Sequence, residues 1–291
     1  MYLLLPLLSS VLYVCGALFL KQAGGYGVGV WRTTFVANLI CGAAFNVLWF
    51  LGGSFPAVTL WWQPAVVALL FLAGQMLSFL AIERGDVSVA TPVMGVKVVL
   101  VAIFVTLVLD ESVTTALWLA AILSSVGIVF LNRGGGNQPH HHAGLTIVLG
   151  ILAAACYALF DVLVQKWSPA WGAGRFLPML MWFVALYSFA LIPFFHAPLR
   201  AVPRPAWRPL LCGGCFIAAQ GIFLISSLSL YGKATAINVV YSSRGLWSVL
   251  AVWWLGHWFA NKERERGAKV LGWRLLGALL LMAAIVLVLG G

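Results

Sequence analysis

The chain has 291 residues, of which 63% are hydrophobic and only 8% charged, against about 25% charged in an ordinary soluble domain. So little charge cannot cover a surface in water, and so apolar a chain is not intrinsically disordered; lipid is the solvent that fits both facts. The net charge of +10 sits in short loops between long apolar runs, which reads as positive charge held on one face of a membrane rather than as a nucleic-acid surface.

A spanning helix needs about 20 mostly apolar residues. Ten such runs are predicted, over 3–21, 30–51, 64–82, 89–109, 114–131, 145–165, 175–195, 210–230, 235–258 and 270–289. The first run is long and lacks a basic start, so it reads as the first helix and not as a cleavable signal peptide. Connections are short and carry turn residues, such as Gly24-Gly-Tyr-Gly27 and Arg84-Gly-Asp86. The longer ones are 132–144, the Pro-rich 196–209 and the charged 259–269. The expected fold class is therefore all-α integral membrane, with the lipid bilayer as its surroundings and no nucleic-acid partner.

Odd-numbered loops and their flanks hold Lys21, Arg32, Arg84, Arg133, Arg200, Arg204, Arg208, Lys262, Arg264, Arg266, Lys269 and Arg274. The even side holds Lys166, Arg175 and Lys233. This bias predicts cytoplasmic odd loops and both termini outside, in a plasma membrane of bacterial inner-membrane type.

The five cysteines fall inside apolar runs. Cys212-Gly-Gly-Cys215 has redox or metal spacing, but no second pair or neighbouring histidine completes a site, and small residues for helix packing are the simpler reading. His140-His-His142 follows Gly134-Gly-Gly136 in a loop and reads as solvated; His196 and His257 stand alone. No metal site, catalytic constellation or cofactor motif is expected.

The chain repeats itself. Arg32 pairs with Arg175, Pro64 with Pro209, Gln75 with Gln220 and Lys97 with Arg244, at offsets of 143 to 147 residues. Pro64 and Pro209 each follow a tryptophan two residues earlier, Trp62 and Trp207. The division predicted is 1–134 and 135–291, two repeats of five helices. An odd number of spans per repeat forces the copies into opposite orientations, an arrangement typical of transporters.

Lys97 and Arg244 carry the chemistry. Each lies near the middle of its predicted helix, where a cation costs about 2.5–3.5 kcal/mol even on the lenient insertion scale. Neither can reach the interface, so both must face protein or a wet cavity. Asp161 is the one acid well inside a predicted helix, and one carboxylate cannot neutralise two cations. The excess suits an anionic or carboxylate-bearing solute at mid-membrane; the plainer alternative is a buried ion-pair network. Gln75 and Gln220 could bind a solute or tie helices. Tyr241 and Trp247, three residues either side of Arg244, share its helix face and could line a pocket or simply pack. Asn38 and Asn238 are further candidates. Arg32 and Arg175 could gate the two mouths or anchor helices at the headgroups, and Asp161 could couple transport to a proton.

In the stretches Gly85-Asp-Val-Ser-Val-Ala-Thr-Pro-Val93 to Asp110-Glu111 and Gly232-Lys-Ala-Thr-Ala-Ile-Asn-Val-Val240 to Trp258, with the following helices holding Gly127 and Gly277, the chain resembles the drug/metabolite transporter superfamily, in particular its EamA-like members. The resemblance extends loosely over nearly the whole chain. It implies a central cavity lined by the fourth and ninth helices, where Lys97 and Arg244 stand, and carriage of a small-molecule solute. The glycine–glutamate pair of the family reads Asp110-Glu111 here. The family usually keeps its termini in the cytoplasm, the reverse of the charge bias. The readings that stand are a carrier of an anionic or zwitterionic metabolite working by alternating access, an exporter of neutral or aromatic amino acids or drug-like compounds, and more distantly an intramembrane lipid-modifying enzyme or a receptor-like subunit.

Overall fold

The computed structural model describes residues 2–83, 87–132, 143–255 and 268–290. The 84–86 turn, the repeat boundary at 134, the histidines at 140–142, His257 and the charged loop 259–267 lie outside these residues. Within them the regular structure is helical and contains no strand. The helices are α1 (Leu4–Gly25), α2 (Val30–Ala44), α3 (Trp62–Glu83), α4 (Val87–Met94), α5 (Lys97–Val108), α6 (Thr115–Asn132), α7 (Ala143–Trp171), α8 (Ala173–Tyr187), α9 (Arg204–Tyr231), α10 (Ala234–Tyr241), α11 (Arg244–Leu255) and α12 (Ala268–Gly290).

Among the described residues, a helix or a pair of half-helices stands at each of the ten predicted spans. Seven helical stretches among the described residues are long and apolar enough to cross a bilayer by length and composition alone, and Thr115–Leu131 is a shorter apolar helix. The fourth and ninth spans are each two half-helices, α4–α5 and α10–α11. The chain is thus a multi-pass membrane protein.

Three departures from the sequence reading have local causes. α9 begins at Arg204, inside the stretch read as a Pro-rich loop, because Pro205 falls in the first turn, where a missing N–H costs nothing. α7 runs to Trp171, past the expected end at 165, with Pro169 confined to its last turn. The second and seventh spans tighten into 3-10 geometry over Phe45–Leu51 and Ser188–Phe194. At each transition a side chain competes for helix carbonyls: Asn46 Nδ2 donates to Gly42 and Ala43 at 3.0 and 2.9 Å, and Ser188 Oγ to Val184 at 2.7 Å.

The order of elements recurs in the two halves. α2 and α8 have 15 residues each and are each followed by a seven-residue 3-10 segment. α4 and α10 have eight residues; α5 and α11 have twelve. The caps match too: Gly29 before α2 has φ 78°, ψ 148°, and Gly172 before α8 has φ 77°, ψ 144°. Only glycine enters that region without strain. At the end of α5, Asp110 has φ 56°, a left-handed conformation that aspartate tolerates better than most residues. Aspartate in place of the family's glycine therefore keeps the turn.

The chain forms two compact units, each drawing on both halves of the sequence: residues 1–72 with 163–232, and residues 73–162 with 233–291. In the first, α1 and α2 pack on α9, and α2 on α8. Its core holds Trp171, Phe45, Phe176, Leu177, Leu180, Leu210 and Leu228, all fully buried. The Cys212-to-Cys215 segment divides its roles here. Gly213 and Gly214 are buried, each so close to Leu20 or Ile40 that a Cβ would collide. Cys212 and Cys215 are exposed. The packing role expected of all four small residues belongs to the glycines alone. In the second unit, α12 lies along α6, α5 packs on α6, and α10 touches both α5 and α12.

Candidate functional site

The second unit brings the two interrupted spans together. In the fourth, Pro92 lacks the N–H an α-helix needs and the next turn tightens: the Gly95 and Val96 amides donate to Pro92 and Val93 carbonyls at 3.0 and 3.1 Å. The Gly95 carbonyl accepts a bond from Ser125 Oγ of α6 at 3.0 Å. In the ninth, the run Ser242-Ser-Arg-Gly245 does the same work. Ser243 and Gly245 amides donate to Val240 and Ser242 carbonyls, both at 3.1 Å, and Ser242 Oγ donates to Val239 at 2.5 Å. In transporters, corresponding interruptions in the two halves are the best pointer to a solute site.

Immediately after each interruption stands a cation. Lys97 is the first residue of α5 and Arg244 the first of α11. A helix start already carries positive potential from its own peptide dipoles. A cation there is poorly placed for helix stability and well placed for an anion. Lys97 Nζ lies 2.7 Å from Asp161 Oδ2; the lysine side chain is 15% exposed and the aspartate 2%. Tyr157, one turn before Asp161 on α7, presents its ring 5.9 Å from the same Nζ. The Arg244 guanidinium sits 4.6 Å above the ring of Tyr241. Among the described residues the cluster holds two basic side chains and one acidic one. Trp247, a turn beyond Arg244, has a buried indole N–H that donates to no acceptor among the described residues.

Of the residues singled out from the sequence, Lys97, Asp161, Arg244, Tyr241, Trp247, Asn238 and Gln75 belong to this unit. Asn238 is buried and turns its amide back to its own helix, donating to Ala234 at 3.0 Å. Gln75 is half-buried on α3 beside Gly74, which packs against the Tyr157 ring. Tyr157 was not legible as a site residue from repeat offsets. Its spacing of four from the lone mid-helix acid was the available signal.

The other candidates belong to the first unit, where each contacts neighbouring elements. Ser9 Oγ of α1 donates to the backbone and side-chain oxygens of Gln220, at 2.8 and 3.1 Å. Asn38 Nδ2 donates to Ser188 Oγ at 2.8 Å, tying α2 to the seventh span. Arg32 is buried and donates to the carbonyls of Val28, Gly27 and Pro198. It clasps the first and seventh loops together. Arg175 donates to the Trp49 carbonyl at 3.1 Å and lies 4.7 Å over the Trp49 ring and 5.7 Å over that of Phe55. Trp49, Phe55, Trp61, Trp171 and Trp182 form a connected aromatic group at this end, as a membrane interface favours.

An all-helical multi-pass architecture with paired interrupted helices and a charged cluster within them is that of a membrane transporter of small solutes. Comparison with known proteins agrees. Residues 1–133 match the EamA-like transporter family. The chain is 32% identical over 129 residues, 44% of its own length, to the probable 4-amino-4-deoxy-L-arabinose-phosphoundecaprenol flippase subunit ArnE of Pseudomonas savastanoi pv. phaseolicola, and covers 96% of that protein. One crystal structure shares the fold, with a TM-score of 0.71 at 15% identity over 96% of this chain and 95% of that one. The chain belongs to the EamA-like family of the drug/metabolite transporter superfamily.

Proposed function

We propose that the protein carries a small anionic or zwitterionic organic solute across the membrane by alternating access, leaving the solute chemically unchanged. The observation that carries this reading is the pair of cations at the two helix interruptions, where Lys97 and Arg244 begin α5 and α11 and, among the described residues, Asp161 pairs with Lys97. Tyr241 and the Trp247 indole N–H supply an apolar face and a further donor for the solute's body. The recurring order of elements supports two five-helix repeats, 1–134 and 135–291, of opposite orientation, which can exchange shapes to open the site to either side. The relative ArnE is named for a substrate with an amino group and a phosphate, and so also supports a solute bearing a negative charge. The rival reading, export of neutral or aromatic compounds, makes the cations purely structural.

The test is a thermal-unfolding screen of the purified protein against anionic, zwitterionic, neutral and cationic metabolites. A true solute at 100 times its dissociation constant adds about 2.7 kcal/mol of stability. The stabilising compounds are expected to be anions or zwitterions, with the effect lost in Arg244→Ala. Stabilisation by neutral compounds alone, unchanged in that variant, would favour the rival.

The loop charges support cytoplasmic odd loops and external termini. The clasp of Arg32 across the first and seventh loops, both odd, is consistent with those two sharing a face. An alkaline phosphatase fused to the C-terminus is then active outside the cytoplasm of a bacterial host; an inactive fusion beside a fluorescent cytoplasmic one reverses the orientation.

A further inference from the structure

The Lys97–Asp161 pair has a property that a purely structural ion pair lacks. A buried pair is durable when further hydrogen bonds satisfy its remaining lone pairs and protons. Asp161 is 2% exposed, yet its Oδ2 has no hydrogen-bond donor among the described residues to supplement the lysine. On the other side, Lys97 keeps 15% of its side chain exposed. The carboxylate therefore occupies on Lys97 the place that a solute's own carboxylate or phosphate would take.

We propose that the incoming anion displaces Asp161 from Lys97 and that the displaced carboxylate takes up one proton, so that each anion crosses together with one proton. This rests on the anion-carrier reading above. A charged carboxylate stripped of its counterion at this depth is far costlier than a protonated one. In the empty protein the lysine ammonium holds the aspartate carboxylate. In the loaded protein it holds the anion, and Asp161 is a neutral acid. No bond of the solute is made or broken, and the only covalent change is one O–H on Asp161, its proton drawn from water. When the solute leaves, the proton leaves with it and the pair re-forms.

The neighbours permit this exchange. Facing Lys97 are Asp161 and Tyr157 from α7 and Arg244 from α11, with Tyr241 of α10 beneath the guanidinium. The phenols and the guanidinium do not titrate near neutral pH. α6 carries no ionisable side chain, and the nearest on α3 and α12, Glu83 and Arg274, stand at the last and seventh residues of their helices. Asp161 is the group left to carry the proton.

The experiment is calorimetric titration of the full-length detergent-solubilised protein with benzenesulfonate, an aromatic anion whose charge is constant over the working range. Titrations near neutral pH in two buffers of different ionisation heat count the protons exchanged on binding. The expected result is uptake of about one proton per anion, with affinity falling about tenfold per pH unit in the alkaline direction. Asp161→Asn is expected to bind more tightly and to take up none. Binding by the wild type without proton uptake overturns the coupling and leaves the anion site standing. Absence of binding to both proteins overturns the anion site, and the coupling with it. The proton count on the wild type decides the matter even if the variant does not fold.

Discussion

Replacing Lys97 with alanine is expected to reduce solute uptake into proteoliposomes about a hundredfold or more, and to destabilise the protein at the same time. Truncating one partner of a desolvated charge pair costs about 2–5 kcal/mol in binding, and each 1.4 kcal/mol is tenfold. The stability loss comes from Asp161, which is left buried without its counterion and must take up a proton to remain there, at a cost of about 3–5 kcal/mol. The two effects separate in Lys97→Ala combined with Asp161→Asn. That double variant should regain most of the thermal stability and none of the uptake. Recovery of uptake in the double variant would make Lys97 a structural residue.

A second large effect is expected at the crossing of α6 and α12. α6 and α12 approach so closely that a Cβ on Gly277 would stand 2.7 Å from the Gly127 carbonyl oxygen and 2.7 Å from the Leu131 amide nitrogen. Both obstacles are backbone, so no rotamer change relieves them. Gly277→Ala should lower stability by about 2–3 kcal/mol and Gly277→Leu by more, as overpacking at a small-residue helix crossing does. Gly272, on the same helix with nothing within 4 Å of its added Cβ, is the control. Gly272→Ala should be neutral or mildly stabilising, since alanine is the better helix former. Equal thermal unfolding of the two alanine variants would mean that the helices do not meet as described.

The two glycines also illustrate what could be read in advance. Gly127 and Gly277 were legible as members of matching helices from the family resemblance. That they meet face to face was not, because residues 150 positions apart share no local signal. The same holds for the site. Lys97 and Arg244 stood out because burying a cation is costly wherever it occurs. Asp161 stood out as the single mid-helix acid. The pairing of Asp161 with Lys97 in preference to Arg244 depends on how α7 is rotated against α5. Tyr157 went unnoticed because a tyrosine in an apolar run has no cost to betray it.

Asn38 and Gln220 are polar groups inside spans, and such groups must find partners in hydrocarbon. A partner can be a solute or another helix, and the sequence cannot distinguish them. Ser188 and Ser9 are the partners found.

Composition and hydropathy settled that the chain lives in lipid, how many times it crosses, and where its rare charges lie, because those properties follow from the free energy of single segments. Packing decided which charges meet and which polar groups tie helices together. Those outcomes depend on contacts between segments distant in sequence, and only the folded chain sets their distances.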